Sequence, residues 1–462
     1  MRILLIKPPA SVSFNAVTPP LGMMYLSSFL KQHGYKEVKI VHMDVEQMQV
    51  EDIKKTISEY EPDVVGLSAI ISEAKNIYKI ASFSKKTQPD ALIVAGGAYP
   101  TCYAEDCLAC PDIDMVVKGE GEEPFLEIIR NYEKGSQFGN IKGICFKKDG
   151  KVTYNEQRPF IQDIDRLPFP DWDGIKISAY DNFYPQSPFL YKRRYMAIFT
   201  SRGCPYQCIF CHNVLGKVFR AHSVSRVLEE MNILYNRYNI SHIDIQDDIF
   251  NWDKQRAANI MEQIIESKMD LKIYFSNGIR GDLLDKETID LFAQAGVVYL
   301  GIGIEAGTVR MQKKLKKYVD LGKIKTTVKY LRKKRIFSNA FFILGFPGEK
   351  LSDILRTIIF ACSSGFHTAS FFVLHLYKGT EIESKGTGKL AIDEKNISTS
   401  YAFLDRFVNY SDLPKPLLIL IRRLANIAFY ANPLRIYWII RDLPNFKAIK
   451  ILIAKFLVRT VI

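Results

Sequence analysis

Three cysteines within one short stretch have the spacing of a metal-cluster loop. Cys204, Cys208 and Cys211 are separated by three and then two residues in the run TSRGCPYQCIFCH, residues 200–212. Zinc sites and ordinary ferredoxin clusters use four protein ligands, and no second ligand pair follows downstream at a suitable spacing. Three thiolates leave one iron of a 4Fe-4S cluster without a protein ligand, and an open metal position is what a catalytic centre needs.

The strand that we predict over residues 195–200 leads directly into this loop. The cluster would then lie at the carboxyl end of a strand, where α/β folds keep their chemistry. The cysteine spacing, with Phe210 as an aromatic before the last cysteine, resembles the radical S-adenosylmethionine (SAM) superfamily. The resemblance implies a 4Fe-4S cluster on Cys204, Cys208 and Cys211, with SAM bound at the open iron. The alternative is three reduced thiols that lie close together without a cluster.

Composition and length are those of a globular protein with several domains. The chain has 462 residues, 47% of them hydrophobic and 24% charged, which allows two or three domains. The apolar run at residues 3–6 breaks at Lys7-Pro8-Pro9 and is predicted to be a first strand instead of a signal peptide. No window reaches the roughly 18 apolar residues of a membrane span. Eight unevenly spaced cysteines favour a reducing cytoplasm over disulfide bonds.

Residues 1–135 alternate β-branched runs with helix-period segments, which predicts a doubly wound, Rossmann-like parallel sheet. The predicted strands are 3–6, 38–41, 64–68, 92–95 and 115–117, with helices at 21–33 and 73–86. Glycines near two strand ends, in 66–70 and 95–100, would let backbone amides approach a ligand, or would simply form tight turns. The first strand is not followed by a G-x-G-x-x-G or Walker sequence, which argues against a nucleotide site.

Several of these segments together resemble the cobalamin-binding domain that precedes the barrel in the cobalamin-dependent radical SAM methyltransferase subgroup. They are residues 7–9, 18–26, 96–97 and 117–122. The sequence has no Asp-x-His-x-x-Gly run, so the implied cobalamin has no protein histidine on cobalt. The resemblance implies cobalamin contacts at Pro8, Pro9, Gly66, Ser68, Ala69, Gly96, Gly97, Tyr99, Gly119, Glu120 and Gly121.

A second cysteine group lies in this domain. Cys102, Cys107 and Cys110 have a four-then-two spacing like that of a plant-type ferredoxin, with Cys145 as a conceivable fourth ligand. The residues around them have the composition of a helix that covers the sheet. We therefore favour small buried thiols over a second cluster.

Residues 136–192 are predicted to connect the two enzymatic domains, with a hairpin about Asp149-Gly150. Strands and amphipathic helices then alternate over residues 193–384, which predicts a partial (β/α)6 barrel of the TIM type. The predicted strands are 195–200, 243–246, 273–276, 297–304, 340–344 and 370–374. The radical SAM resemblance implies the same open barrel.

Polar residues at the ends of the barrel strands are the candidates for binding SAM. Asp247 and Asp248 would accept the SAM ammonium group, although Asp248 could instead cap a helix. Arg280 would pair with the SAM carboxylate or with Asp282, and Glu305 ends a buried strand where an acid is costly unless paired. The run Gly345-Phe346-Pro347 resembles the loop beside the adenine. The resemblance assigns SAM contacts to Phe210, Asp247, Asp248, Arg280, Glu305, Gly345, Phe346 and Pro347.

Residues 385–462 are predicted to form a helical, basic C-terminal domain. Residues 401–462 contain ten basic and three acidic side chains, so they hold +7 of the +13 net charge. Basic amphipathic helices can lie on anionic membranes, but we favour a cap whose apolar face closes the active site. Nucleic-acid binding is not predicted, because no recognised module accompanies the charge.

These features together predict a cobalamin-dependent radical SAM enzyme that methylates an unactivated carbon through methylcobalamin. The substrate would be a small molecule, lipid or peptide, and the electron donor a flavodoxin or ferredoxin. The alternatives are radical chemistry without methyl transfer (ring formation, ring contraction or dehydrogenation), methylthiotransfer with about eight irons per chain, and a non-catalytic cobalamin-sensing module. Sequence does not separate them, because the differences lie in the substrate pocket.

Overall fold

The computed structural model describes residues 1–10, 17–148, 150–183, 195–212, 214–385, 407–444, 448–450, 452–453 and 456–457. These residues form two compact units. The first contains the described residues up to Phe183 together with 214–216. The second contains the described residues of 195–212, 217–385 and 407 onwards, so the C-terminal helices belong to the same unit as the barrel.

The first unit is built on a seven-stranded sheet in the order β2-β1-β3-β4-β5-β6-β7. Strands β1 to β5 run parallel to one another, β6 pairs antiparallel with β5, and β7 pairs antiparallel with β6. The strands are β1 (Ile3–Lys7), β2 (Val38–His42), β3 (Val64–Ser68), β4 (Leu92–Gly96), β5 (Met115–Val117), β6 (Ile144–Lys148) and β7 (Lys151–Tyr154). The helices are α1 (Leu21–Gln32), α2 (Ile53–Tyr60), α3 (Ala74–Thr87), α4 (Ala98–Cys102), α5 (Ala104–Ala109) and α6 (Glu122–Glu133).

The predicted doubly wound sheet is confirmed, and each predicted strand lies within one residue of the observed one. The hairpin predicted within residues 136–192 forms β6 and β7, and β6 pairs with β5, so the hairpin extends the sheet; Asp149 of its turn lies outside the described residues. Cys107 and Cys145 are buried in the core of this unit, and Cys102 and Cys110 pack against it. The interpretation of these cysteines as buried thiols is therefore supported.

The second unit contains a six-stranded parallel sheet whose strand order follows the sequence. Its strands are β8 (Tyr195–Ile198), β11 (His242–Ile245), β12 (Lys272–Ile279), β13 (Val297–Glu305), β14 (Phe337–Leu344) and β15 (Thr368–Val373). A short antiparallel pair, β9 (Ser201–Arg202) and β10 (Arg220–Ala221), flanks the cysteine loop. The sheet is the partial (β/α)6 barrel predicted from the sequence.

Helices alternate with these strands, and several begin at a side-chain cap. Ser223, Asp253, Asp285 and Asp320 each accept a hydrogen bond from a first-turn N–H, which satisfies a donor that the helix leaves free. The helices are α7 (Val224–Tyr238), α8 (Lys254–Ser267), α9 (Lys286–Gln294), α10 (Val309–Lys314), α11 (Leu321–Lys333), α12 (Leu351–Ser363), α13 (Glu381–Ser384), α14 (Lys415–Tyr430) and α15 (Pro433–Asp442).

Among the described residues, no single helix is both long and apolar enough to cross a bilayer. Helices α14 and α15 satisfy the length and composition together, but the chain bends by 71° where one ends and the other begins. Helix α14 packs against β15 and α12, so it covers part of the barrel; closure of the active site by its apolar face stays a prediction.

Candidate functional site

The cysteine loop is held against the carboxyl ends of the barrel strands by its apolar residues. Ile209 lies in one buried cluster with Ala306, which follows β13, and with Phe346, which follows β14. The ring of Phe210 meets that of Phe346 edge to face at 5.6 Å between centroids. The backbone N–H of Ile209 donates to Leu315 O at 3.2 Å. The loops that the sequence predicted at one rim are therefore brought together.

The three cysteines differ in exposure and in their electrostatic surroundings. Cys208 is buried, Cys204 is half-buried and Cys211 is exposed. A hydrogen bond from Cys211 lowers the pKa of the Cys208 thiol to about 6, with further stabilisation of its thiolate by Lys317 and Arg280. The same hydrogen bond, together with burial, raises the pKa of the Cys211 thiol well above its ordinary value, and burial raises the pKa of Cys204. The thiolate is the form that ligates a metal, so Cys208 is the cysteine that this environment prepares for a cluster.

Arg280, the residue that follows β12, supports the cysteine loop. Its guanidinium forms a bidentate pair with Asp282, with N–O distances of 2.8 and 2.6 Å. It also donates to the carbonyl oxygens of Lys317 and Tyr318 at 3.0 and 3.1 Å and lies 4.3 Å from the ring centroid of Tyr206. Of the two partners predicted for Arg280, the structure shows Asp282. The interaction with Tyr206 makes Arg280 a positioning residue for the loop between Cys204 and Cys208.

Glu305 pairs with Lys317 in a largely buried ion pair. The distance from Lys317 Nζ to Glu305 Oε1 is 3.0 Å, and the exposed fraction of the side chain is 15% for Lys317 and 9% for Glu305. Burial alone would lower the pKa of Lys317, but Glu305 and the thiols of Cys208 and Cys211 raise it above its ordinary value. A Cβ on Gly303 would lie 2.8 Å from Glu305 Oε1 and 3.0 Å from Lys317 Nζ. Gly303 therefore leaves the room that this pair occupies.

Glu305 also has an unusual backbone conformation. Its φ of 65° is in the left-handed region, which costs a residue with a side chain about 1–2 kcal/mol. The sequence predicted that the Glu305 carboxylate would need a partner, and that partner is Lys317. Glu305 is also the strained last residue of β13. Such strain is frequent where a functional side chain is being directed.

The two aspartates after β11 have different surroundings. Asp247 is buried and accepts hydrogen bonds from Thr200 N at 2.6 Å, Thr200 Oγ1 at 2.5 Å and Ser201 Oγ at 2.6 Å. These bonds fix the entry to the cysteine loop. Asp248 is exposed and accepts from the backbone N–H of Gly203, beside Cys204. Of the two predicted SAM residues, Asp248 is the more exposed, although burial raises the pKa of its carboxyl group.

The Gly345-Phe346-Pro347 run forms a tight turn after β14, and Glu349 holds it. Gly345 has a φ of 85°, and the buried Glu349 carboxylate accepts from Gly345 N at 2.7 Å and Phe346 N at 3.1 Å. Burial raises the pKa of Glu349 to about 7. The predicted backbone contacts with an adenine ring would be made by this fixed turn.

The donor set of this rim fits an iron-sulfur cluster better than a single ion. Among the described residues, no three His, Cys, Asp or Glu side chains converge closely enough to hold one metal ion. A 4Fe-4S cluster instead takes one thiolate on each of its ligated irons, and the loop supplies three thiols of which Cys208 has a lowered pKa. Cys208 and Cys211 lie within hydrogen-bond distance of each other, so these two side chains would have to move apart to ligate separate irons.

In the first unit, the predicted cobalamin residues other than Gly66 lie at or after the carboxyl ends of β1, β3, β4 and β5. Gly97 has a φ of 87°, and a Cβ there would lie 2.6 Å from Ser68 Oγ and 3.1 Å from Ala69 O. Ala69 N donates to Gly96 O at 3.2 Å. The loops after β3 and β4 thus approach closely through their backbones. The order of β1 to β5 places a topological switch point between β1 and β3, where open sheets bind ligands.

Three predicted cobalamin residues have structural contacts within the first unit. Gly66 lies inside β3, where a Cβ would meet Leu5 Cδ2 at 2.7 Å, so its role is core packing. Tyr99 is buried, and its hydroxyl lies 2.8 Å from that of Tyr78. Glu120 accepts from Ile161 N at 2.8 Å. Cobalamin contact at Gly66, Tyr99 and Glu120 stays a prediction.

Pro8, Pro9, Gly119 and Gly121 stay candidates at this edge. Pro9 O accepts from Asn76 Nδ2 at 2.8 Å, and Gly119 N donates to Thr101 Oγ1 at 3.1 Å with a φ of 80°. A cavity of about 160 Å³ adjoins Gly119, with Lys118, Arg158 and Phe160 among its lining residues. The individual SAM and cobalamin contacts remain predictions.

Sequence reasoning missed Lys317, Gly303, Tyr206 and Glu349. Lys317 follows Lys313, Lys314 and Lys316, and such a run usually indicates a solvated surface. Only the fold shows that this one lysine turns inward. The acid in the run Gly345–Glu349 was a usable signal, because a carboxylate four residues after a glycine can accept from the turn.

Comparison with known families agrees with this arrangement. Residues 9–129 match the B12 binding domain, and residues 198–361 match the radical SAM superfamily. The structure of the radical SAM methyltransferase TsrM from Kitasatospora setae, with cobalamin and a [4Fe-4S] cluster bound, is similar with a TM-score of 0.70. The similarity covers 84% of this chain and 75% of that one at 17% identity, so it concerns the fold.

Relatives extend the similarity to most of the chain. An uncharacterized methyltransferase of Pyrococcus horikoshii is 31% identical over 94% of this chain and 93% of its own length. Cytidylyl-2-hydroxyethylphosphonate methyltransferase of Streptomyces wedmorensis is 29% identical over 82% of this chain and 80% of its own length. An anaerobic magnesium-protoporphyrin IX monomethyl ester cyclase of Rubrivivax gelatinosus is 26% identical over 77% of this chain and 65% of its own length. The predicted cofactors, a 4Fe-4S cluster, SAM and cobalamin, are confirmed, and the chain belongs to the cobalamin-dependent radical SAM methyltransferase family.

Proposed function

We propose that this protein methylates an unactivated carbon of its substrate with SAM and cobalamin. The observation that carries the proposal is a cysteine loop of the radical SAM type in the same chain as a B12-binding domain. The similarity to a methyltransferase over nearly the full length supports it. When bound, the cofactors supply a 5′-deoxyadenosyl radical and a transferable methyl group, and the protein supplies placement.

The described residues would serve that chemistry in three ways. Cys204, Cys208 and Cys211 would hold the cluster, with Lys317 and Arg280 offsetting thiolate charge. Phe210 and Phe346 form an apolar wall beside the loop, which would exclude water. Excluding water protects a reactive intermediate from side reactions.

The test is anaerobic incubation of the reconstituted protein with methyl-deuterated SAM, a reductant and cell extract. We expect 5′-deoxyadenosine and a product whose mass rises by one labelled methyl group. Cys208→Ala should abolish both and lower the iron content. Cys362→Ala is the matched control, because Cys362 is a half-buried thiol of α12 outside the loop and should leave iron and products unchanged.

Other outcomes identify the alternatives. 5′-Deoxyadenosine with an unlabelled product of altered mass would reject methyl transfer and support the other radical chemistry, for which the cyclase relative is a precedent. Iron near eight per chain would support methylthiotransfer. No 5′-deoxyadenosine from reduced, cluster-loaded protein would support a non-catalytic cobalamin-sensing role.

We further propose a small-molecule, lipid or peptide substrate and a flavodoxin or ferredoxin as the electron donor. A reducing cytoplasm suits both the free thiols and the oxidation-sensitive cluster. Replacing the chemical reductant with reduced flavodoxin in the same assay tests the donor. If the assay with reduced flavodoxin gave no more product than an assay without any reductant, this part of the proposal would be contradicted.

A further inference from the structure

The outer faces of α14 and α15 are apolar. Large hydrophobic side chains on these helices are between 49% and 61% exposed; they are Leu420, Leu424, Ile427, Leu434, Tyr437 and Ile440. The spacings of three and four residues place those of each helix on one face. Single exposed hydrophobic residues are ordinary, but a contiguous group of them marks an interaction surface. We call these six residues the outer apolar face.

The inner positions of α15 are mainly polar, the reverse of a usual surface helix. Arg435 is fully buried and donates to Phe366 O at 3.0 Å, to Cys362 O at 2.8 Å and to Phe429 O. Asp442 is buried and lies 3.0 Å from His367 Nε2. Polar contacts therefore anchor α15 to the barrel, while its aliphatic side chains face outwards.

A neighbouring helix carries a similar stripe. Helix α12 packs beside α14, and its Leu351, Leu355 and Ile359 are 40%, 47% and 65% exposed. Their spacing of four residues puts them on one face of α12. Three adjacent helices of this unit thus each expose aliphatic side chains.

The lengths of α14 and α15 exclude crossing a bilayer by either helix alone. Sixteen and ten residues correspond to about 24 and 15 Å, against about 30 Å for the hydrocarbon core. The 71° bend between them prevents the two from forming one straight span. An apolar face on short helices suits insertion to the depth of the headgroup boundary.

The charge of the segment selects an anionic partner. Among the described residues of this segment, Arg422 and Arg435 are fully buried and Arg441 pairs with Asp442 at 2.6 Å, so they add no charge to the outer surface. Lys415 and Lys450 are exposed and Arg423 is half-buried, against one exposed acid, Asp412. A second copy of the chain would bring the same basic side chains together at a two-fold interface, whereas an anionic lipid surface would attract them. We propose that the outer apolar face docks this protein on an anionic membrane surface.

The experiment is co-sedimentation of the anaerobically purified, cofactor-loaded full chain with phosphatidylcholine vesicles, with and without phosphatidylglycerol. The test variant is Leu424→Glu/Ile440→Glu. The matched control is Gln255→Glu/Gln263→Glu, which adds the same charge at exposed positions of α8. We expect wild type and control to bind the anionic vesicles, and the test variant to bind at least about tenfold more weakly, equivalent to about 1.4 kcal/mol.

Two further measurements complete the test. Binding of wild type should weaken with added salt, since surface charge attraction is screened. 5′-Deoxyadenosine formation without vesicles should be equal in both variants, which separates docking from catalysis. Equal binding by test and control variants, or no binding by wild type, would overturn the proposal. A lipid-free dimer that only the test variant dissociates would assign the face to a second copy instead.

Discussion

Replacing Lys317 with methionine should destabilise the second unit strongly. The Glu305 side chain is 9% exposed, and its only described ion-pair partner is Lys317. Removing one member of a buried pair leaves an uncompensated charge and costs about 3–5 kcal/mol. We expect that loss in the free energy of unfolding of the apoprotein, measured in urea under reducing conditions near pH 7. The double variant Lys317→Met/Glu305→Gln should recover most of it, because no buried charge is then left unpaired.

The adjacent lysine is the control. Lys316 pairs with Glu381 at 2.8 Å, but the two side chains are 41% and 32% exposed. Solvent screens such a pair, which contributes about 0–1 kcal/mol. Lys316→Met should therefore change stability by less than about 1 kcal/mol, although it removes the same charge one residue away.

The same variants test the relation of Lys317 to the cysteines. Without Lys317, the Cys208 thiolate loses one of the cations that stabilise it. Reconstituted Lys317→Met should contain less iron than the Lys316→Met variant, and a thiol-reactive probe should label Cys208 of the apoprotein more slowly at pH 7. Strictly additive effects of Lys317→Met and Glu305→Gln on stability, or equal losses at Lys316 and Lys317, would refute this reasoning.

Three further predictions concern other parts of the fold. Burial raises the pKa of Glu349 from 4.5 to about 7, so the fold favours the neutral form of this side chain. The contribution of Glu349 to the free energy of unfolding is therefore most favourable below pH 4.5 and is lost as the pH rises from about 4.5 through 7. Glu349→Gln should thus gain up to about 3 kcal/mol over wild type at pH 8 and little at pH 4.5, in urea titrations at both values. Gly97→Ala, with φ at 87° and Ser68 Oγ 2.6 Å from the new Cβ, should lower cobalamin content by absorbance, whereas Gly139→Ala, with open space around it, should not. Arg435→Met removes donors from buried carbonyls of α12 and α14 and should cost about 2–3 kcal/mol, measured as a lower Tm; an unchanged Tm would contradict the anchoring role.

The fold could be predicted almost completely because its two sheets depend on local patterns. Strands such as Val64–Ser68 and Val297–Glu305 are β-branched or apolar runs between amphipathic helices, and this alternation predicts parallel sheets. The hairpin β6–β7 was predicted, but its pairing with β5 was not. Pairing between distant strands depends on which sheet edge is free, and local sequence does not determine that.

The site was predicted in outline and missed in its supporting contacts. The cysteine spacing and the polar residues after β11 and β13 could be found because they occur at fixed positions along the chain. Lys317 and Tyr206 act through partners 12 or more residues away, Lys317 with Glu305 and Tyr206 with Arg280. A contact between distant residues has no signature in either local segment, so it appears only in three dimensions.

Protein contacts hold the cysteine loop in place on both sides of its middle cysteine. Ile209 is part of the apolar cluster with Phe346, and Arg280 lies over Tyr206, so the loop is fixed on both sides of Cys208. Both nearby cations already have carboxylate partners, Asp282 for Arg280 and Glu305 for Lys317. Each cation is therefore shared between a carboxylate and the Cys208 thiol, whose pKa both cations lower. A loop held by such contacts does not depend on metal alone for its position, unlike small zinc domains, which gain their fold from the metal itself.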